Sequence, residues 1–149
     1  MFIFFHPLEY PVFSDEFRKA RAVLDVVTAE KSGLSAGTLK LWLYIAENLD
    51  RLLSEQGLPL TQIAEELDIP YGTLGRQLDL LEDGYQHTKG LRWIERGIDE
   101  KNRRVRRLRL TREGLHVAFR IDEVLSGRPN PWKNVFLDHV ADESAEVGK

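Results

Sequence analysis

The sequence predicts a mainly α-helical chain carrying one small β-hairpin. Three observations predict it. Apolar residues recur at helical spacing over most of Ser14 to Leu81. The pattern then changes to two short alternating runs, Leu91 to Gly97 and Val105 to Leu110, around the polar loop Asp99-Glu100-Lys101-Asn102. Helical spacing resumes after Thr111. At 149 residues, with 42% hydrophobic residues, the chain can bury a core as one domain with appended arms.

Residues 1–13 read as an apolar arm. Phe2, Ile3, Phe4, Phe5, Leu8, Tyr10, Val12 and Phe13 are large and apolar, and Pro7 and Pro11 oppose a regular helix. Exposed, such an arm would invite aggregation, so it is expected to dock on its own body or on a second chain. The opening MFIFF lacks a basic n-region and is ended by His6-Pro7, so it is not expected to be a signal peptide. No run approaches the roughly 20 apolar residues of a spanning helix, and there is no cysteine. A soluble, cytoplasmic protein is the expectation, with no membrane partner.

The domain proper is expected over 14–125. Ser14 caps a first helix with Phe17, Ala20, Leu24 and Val27 on one stripe, ending near Ser32-Gly33. Ser35 starts a second, with Leu39, Trp42, Leu43, Ala46, Leu49 and Leu53 on one face, closed by Gly57 and Pro59. Thr61 caps a short third helix with Ile63, Ala64 and Leu67 inward. Asp68-Ile69-Pro70 breaks it, and a fourth helix follows with Leu74, Leu78 and Leu81 inward. Two short helices joined by a tight turn form a helix-turn-helix pattern. In the first strand Leu91, Trp93 and Glu95 share one side, and Arg92, Ile94 and Arg96 the other. In the second, Leu108 and Leu110 point inward, and Arg106 lies beyond the core, towards the hairpin tip. Thr111 caps a fifth helix through Leu115, Ala118 and Phe119 to Leu125. Residues 126–149 are read as a linker, a short helix with Trp132, Val135, Phe136 and Val140, and a polar frayed tail.

Charge is distributed unevenly. The total is −3, yet Lys89 to Arg112 holds ten basic and three acidic residues, which leaves −10 for the remainder. A nucleic acid responds to the local field rather than the total. Helices, a helix-turn-helix, a basic hairpin and a further helix, in that order, make a winged helix-turn-helix. Tyr71 to Leu81 is then the recognition helix, which enters the major groove and reads base edges from its N-terminal residues. The positions expected to approach DNA there are Tyr71, Gly72, Thr73, Arg76 and Gln77. Arg76 suits a bidentate pair with guanine, and Gln77 one with adenine where it points outward. Gly72 and Gly75 each cost on the order of 1 kcal/mol relative to alanine inside a helix. Two readings are open: small residues for close approach to a duplex, or tight packing on a neighbouring helix.

The runs LTQIAEELDIPYGTLGRQLDLLEDG and IERGIDEKNRRVRRLRLTREG resemble the multiple-antibiotic-resistance regulator (MarR) family. The shared features are the turn Leu81-Glu82-Asp83-Gly84, the wing loop Asp99 to Arg104, and Leu110-Thr111-Arg112-Glu113-Gly114 opening the next helix. The resemblance covers roughly Leu39 to Leu125. It implies a homodimeric transcriptional regulator, with flanking terminal helices forming the dimer interface and two wings straddling a pseudo-palindromic site. It further implies Arg103 and Arg104 at the minor groove or its phosphates, with Asp99 orienting a wing arginine. The family's small-molecule effectors map to no residue here. The sequence departs from the family at Gln86 to Gly90, at Pro70, in its aromatic N-terminal arm and after Leu125.

The function expected is sequence-specific binding of double-stranded DNA as a homodimeric regulator, in the sense of a repressor. Lys101, Arg103, Arg104 and Arg106 are expected on the DNA side of the wing. Arg106, Arg107 and Arg109 stay open between phosphate contact and surface pairing, for instance with Glu95 across the hairpin. The alternative is a winged-helix module that docks on protein in a replication, partition or mobile-element assembly. His6, His87, His116 and His139 are scattered without metal-ligand spacing, so no metal or cofactor is expected. No nucleophile elbow, phosphate loop or dinucleotide fingerprint occurs, and Glu65-Glu66 and Glu82-Asp83 read as helix-surface carboxylates rather than an acid/base pair. An enzyme is not expected.

Overall fold

Ser14–Glu30 form α1, whose first turn carries Asp15 and Glu16 at the positive end of the helix. The computed structural model describes residues 14–30, 33–53, 57–85, 87–98, 101, 103 and 106–138. The expectations for the arm at 1–13, for Asp99, Arg104 and Val140, and for the polar tail lie outside these residues. α1 buries Val23, Val26 and Val27, whereas Phe17 is 69% and Leu24 47% exposed. Of the expected stripe Phe17, Ala20, Leu24 and Val27, only Val27 belongs to the core face. Two adjacent stripes of one helix share the same spacing. The partner decides between them, and here α1 packs against α6 (Arg112–Ser126).

The expected long second helix is two. Ser35 caps α2 (Ala36–Glu47) by accepting from the Thr38 amide at 3.1 Å, as its position predicts. Thr38, Leu41, Trp42 and Ile45 are buried: Trp42 is inward as expected, but Leu39 and Ala46 are half-buried and Leu43 is exposed, so the core face is rotated from the expected one. Asn48 interrupts the helix, its side-chain amide donating to the Tyr44 carbonyl at 2.9 Å, and α3 follows over Leu49–Leu53. α4 (Leu60–Leu67) starts after Pro59 with no side-chain cap, so Thr61 is a residue of the helix rather than its cap. Glu66 ties α4 to α2 and α3: it accepts from Arg51 at 3.1 and 3.2 Å and from Tyr44 Oη. Asp68 ends α4 in the left-handed conformation (φ 52°), which aspartate tolerates better than most residues. Pro70 then opens α5 (Tyr71–Leu81), which buries Leu74, Leu78 and Leu81.

On either side of residue 86 the chain forms a structure the sequence did not suggest. β1 (Gly84–Tyr85) and β2 (Thr88–Lys89) pair antiparallel, Gly84 opposite Lys89. Gly84 has φ 111°, and a Cβ on Gly84 or Gly90 would collide with backbone of the other arm. The chain thus returns to the end of α5. There the amides of Leu91, Trp93 and Arg92 donate to the carbonyls of Leu80, Leu81 and Glu82 at 2.8–2.9 Å. The C-terminal carbonyls that a helix leaves unpaired are satisfied by the strand that follows it.

β3 (Ile94–Ile98) and β4 (Arg106–Leu110) form the expected hairpin, with Ile94 opposite Leu110, Arg96 opposite Leu108 and Ile98 opposite Arg106. The strict alternation expected from Leu91 fails at Arg92, whose φ of 58° turns the chain, so that Trp93 and Ile94 are both buried. Trp93 meets Trp42 with ring centroids 4.9 Å apart in the main core.

Thr111 caps α6 as expected, accepting from the Gly114 amide at 3.0 Å. The same hydroxyl donates to the Arg92 carbonyl at 2.6 Å, and the Thr111 amide to the Trp93 carbonyl at 3.0 Å. Threonine here joins the base of the hairpin to the helix. Residues 133–138 form a short helix, where Leu137 packs on Leu115 and Phe119. Trp132 and Val135 stay 62% and 59% exposed. Helices α1 to α6 with the β3–β4 hairpin form a winged helix-turn-helix, α4 and α5 being the helix pair and the hairpin the wing.

Gly114 has no room for a side chain, since a Cβ would strike the Trp93 carbonyl. Gly114→Ala should lower unfolding free energy in urea by about 1–3 kcal/mol with an unchanged denaturant slope. Gly97→Ala, whose Cβ meets nothing, should stay within about 0.5 kcal/mol of the parent.

Candidate nucleic-acid interface

The N-terminal half of α5 faces outward because its inward positions are fixed by Leu74 and Leu78. That leaves Tyr71, Gly72, Thr73 and Arg76 exposed on one surface, Tyr71 by 54%. Pro70 provides no side-chain cap, so the positive end of the helix opens on the same surface. Gln77 differs. It is half-buried and turned toward α2, where a Cβ on Gly37 would stand 2.7 Å from its Nε2. Its condition for reading adenine, an outward side chain, is not met.

Ideal Cβ atoms on Gly72 and Gly75 meet nothing within 4 Å. Packing on a neighbouring helix therefore does not require glycine at either position.

The basic residues of the hairpin divide by their surroundings. On the face turned toward α5 lie Ile94, Arg96 and Ile98, with Leu110, Leu108 and Arg106 opposite them. Arg96 donates from Nε to Glu82 Oε2 at 2.6 Å and from Nη2 to Asp79 Oδ1. Its backbone amide also approaches Glu82 Oε1 at 3.4 Å. Burial works against the guanidinium charge, but hydrogen bonds to Asp79 and Glu82 and their negative charges outweigh it. Arg96 is held above the ordinary arginine value and stays cationic. Glu82 is thus not the free surface carboxylate expected from the sequence.

Arg106 lies at the far end of the same face and lines a cleft of about 290 Å³ with Leu60, Tyr71, Leu74 and Gly75. Arg107, on the opposite face, lies over Gly57, its Nη1 2.8 Å from where a Cβ would be. Arg109 pairs with Glu95 at 3.2 Å, its register partner, as the alternation suggested. Lys101 and Arg103 are exposed near the tip. Among the described residues, Arg76, Arg103 and Arg106 make no ion pair within the chain.

Asp79, Glu82 and Arg96 are the residues that sequence reasoning missed. A signal was present: Arg96 alternates with the core residue Ile94, and an inward arginine needs a carboxylate. Asp79 near the end of α5 and Glu82, which caps it, offer two. Among the described residues no group of three or more His, Asp or Glu could hold a metal. No helix among them is long and apolar enough to cross a membrane.

No protein-family model matches the chain, and no curated protein does. Among solved structures, the chain is similar to a mutant of S. aureus MepR bound to an oligodeoxyribonucleotide. The identity is 15%, the match covers 94% of this chain and 100% of that one, and the TM-score is 0.49.

With open space above it, Gly75 costs the helix stability and returns none through packing. Gly75→Ala should raise the unfolding free energy by about 0.5–1 kcal/mol, read from the urea midpoint.

Proposed function

We propose that this chain binds double-stranded DNA as a homodimeric transcriptional regulator acting as a repressor. α5 lies in the major groove, and the wing lies on the minor groove or the adjacent backbone. One observation carries the reading. Among the described residues of an acidic chain, Arg76, Arg103 and Arg106 have no carboxylate partner, and they lie on α5 and on the wing that follows it. Carboxylates are plentiful elsewhere, so the uncompensated cations suit an anionic partner. The motif resemblance of the helix-turn-helix and wing points the same way.

Tyr71, Thr73 and Arg76 approach base edges, and Gly72 and Gly75 let the helix backbone come close to them. Lys101, Arg103, Arg104 and Arg106 hold phosphates or the minor groove. Phe17 and Leu24 on α1, with Leu125, Trp132 and Val135 near the C-terminus, are large apolar side chains left exposed in the single chain. A second copy covering them supplies the dimer.

About 6 neutralised phosphates per subunit give a log–log salt slope near −5. Replacing Arg103 and Arg106 together by alanine should weaken binding to every duplex and reduce that slope by about two. Arg76→Ala should also erode discrimination between sequences, by about 1–3 kcal/mol. Fluorescence anisotropy against a selected and a scrambled duplex over a salt series measures both. Wild-type protein that binds neither duplex at low salt would support docking on protein instead.

A further inference from the structure

Arg96 belongs by sequence to the basic wing, yet its charge is spent inside the protein. Its side chain is 22% exposed, and its guanidinium donates through two nitrogens to Asp79 on α5 and to Glu82, which caps that helix. A planar fork held on two acceptors fixes direction as well as distance, which a single point charge does not. Where this contact sits matters. Asp79 and Glu82 are at the C-terminal end of α5, and Tyr71, Thr73 and Arg76 are at the other. Toward the Tyr71 end, a 290 Å³ cleft lies between helix and wing; Leu60, Leu74 and Leu78 floor it, and Tyr71, Gly75, Arg96 and Arg106 complete its lining. Apolar packing sets the base of the hairpin, where Ile94 and Leu108 are buried with Leu74 and Leu78, but not the spacing of its outer part from α5, where Ile98 is 65% exposed. The junction at Arg96 sets that spacing, and a small rotation about it would displace Arg103 and Arg106 relative to Arg76.

We propose that Arg96, gripped by Asp79 and Glu82, is a positioning residue that sets the angle between wing and recognition helix. Discrimination between DNA sequences then depends on it, while general affinity for DNA does not. This rests on the DNA-binding reading above. The distinction is physical. Phosphate contacts add affinity for any sequence, whereas reading bases requires helix and wing in register with one another. The carboxylates provide a test of opposite sign. Replacing Asp79 and Glu82 by Asn and Gln removes two negative charges beside the DNA. Simple electrostatics then predicts tighter binding to every duplex, and the clamp predicts lost discrimination.

The experiment compares Arg96→Ala, Arg96→Lys and the Asp79→Asn/Glu82→Gln double variant with wild type. Anisotropy is read on a selected and a scrambled duplex over a salt series, after thermal melts establish which variants are folded. The ratio of the two affinities is expected to fall about tenfold in Arg96→Ala and in the double variant, with Lys intermediate. The salt slope should not change. A slope reduced by about one, with equal losses on both duplexes, would mean that Arg96 contacts phosphate and would overturn the proposal. An unchanged affinity ratio would overturn it as well.

A DNA-free measurement separates the clamp from the DNA reading. The chain has no cysteine, so Glu65→Cys on α4 and Ile98→Cys on the wing can carry spin labels at unique sites. Pulsed electron resonance should give a narrow distance distribution that broadens about twofold when Arg96→Ala is added. A distribution that stays narrow rejects the clamp whether or not DNA binds. Wild type that binds no duplex rejects the DNA reading, and the distances still decide the clamp.

Discussion

Between α5 and the wing, one guanidinium meets two carboxylates, and the placement of the residues proposed to touch DNA is referred to that junction. Asp79 is on α5, Glu82 caps that helix and Arg96 is on β3, so the contact joins helix and hairpin. Its value does not lie in stability. A partly exposed ion pair gives little net free energy after desolvation. Its value lies in geometry, because a cleft lies between the two elements beyond it. The C-terminal end of α5 is anchored a second time, by the amides of Leu91 to Trp93 on its last carbonyls. Thr111 and Gly114 then fasten the base of the hairpin to α6. Helix, wing and following helix are thus connected end to end through backbone contacts that tolerate no side chain at Gly84, Gly90 or Gly114.

The basic segment that distinguishes this chain is better understood as four environments than as one charge. Arg96 is internal, Arg107 covers Gly57, and Arg109 is matched across the strand by Glu95. Among the described residues, Arg92, Arg103, Arg106 and Arg112 make no ion pair, nor does Arg76 on α5. The net +7 of residues 89–112 overstates the charge left for an anionic partner, and of that charge Arg106 stands beside α5, lining the cleft with Tyr71. The charge that is left makes a local field in a chain whose total charge is negative.

Much of the architecture was legible in the sequence, and the failures share a cause. Ser35 and Thr111 were recognisable as caps because a cap is a local event involving three or four residues. Leu74, Leu78 and Leu81 were recognisable because α5 has one apolar stripe. α1 offered two stripes and α2 a broad one, and a neighbour distant in sequence chose between them. Thr61 was misread because Pro59 already provided the extended residue that a helix start needs. The β1–β2 hairpin was invisible because its strands are two residues each, too short for any period to show. The outward residues of α5 followed from its inward ones, except Gln77, whose direction is set by Gly37 on α2. The clamp required pairing information, namely which strand face meets which helix face, that no single stretch contains.

The proposed function places two copies of α5 on one DNA site, and selection from a random pool of duplexes tests that most directly. It predicts an enriched inverted repeat whose half-sites are centred about one helical turn, roughly 10 base pairs, apart. Enrichment of a single unrepeated half-site would contradict the dimer. A pool recovered unenriched at low salt would contradict sequence-specific DNA binding itself.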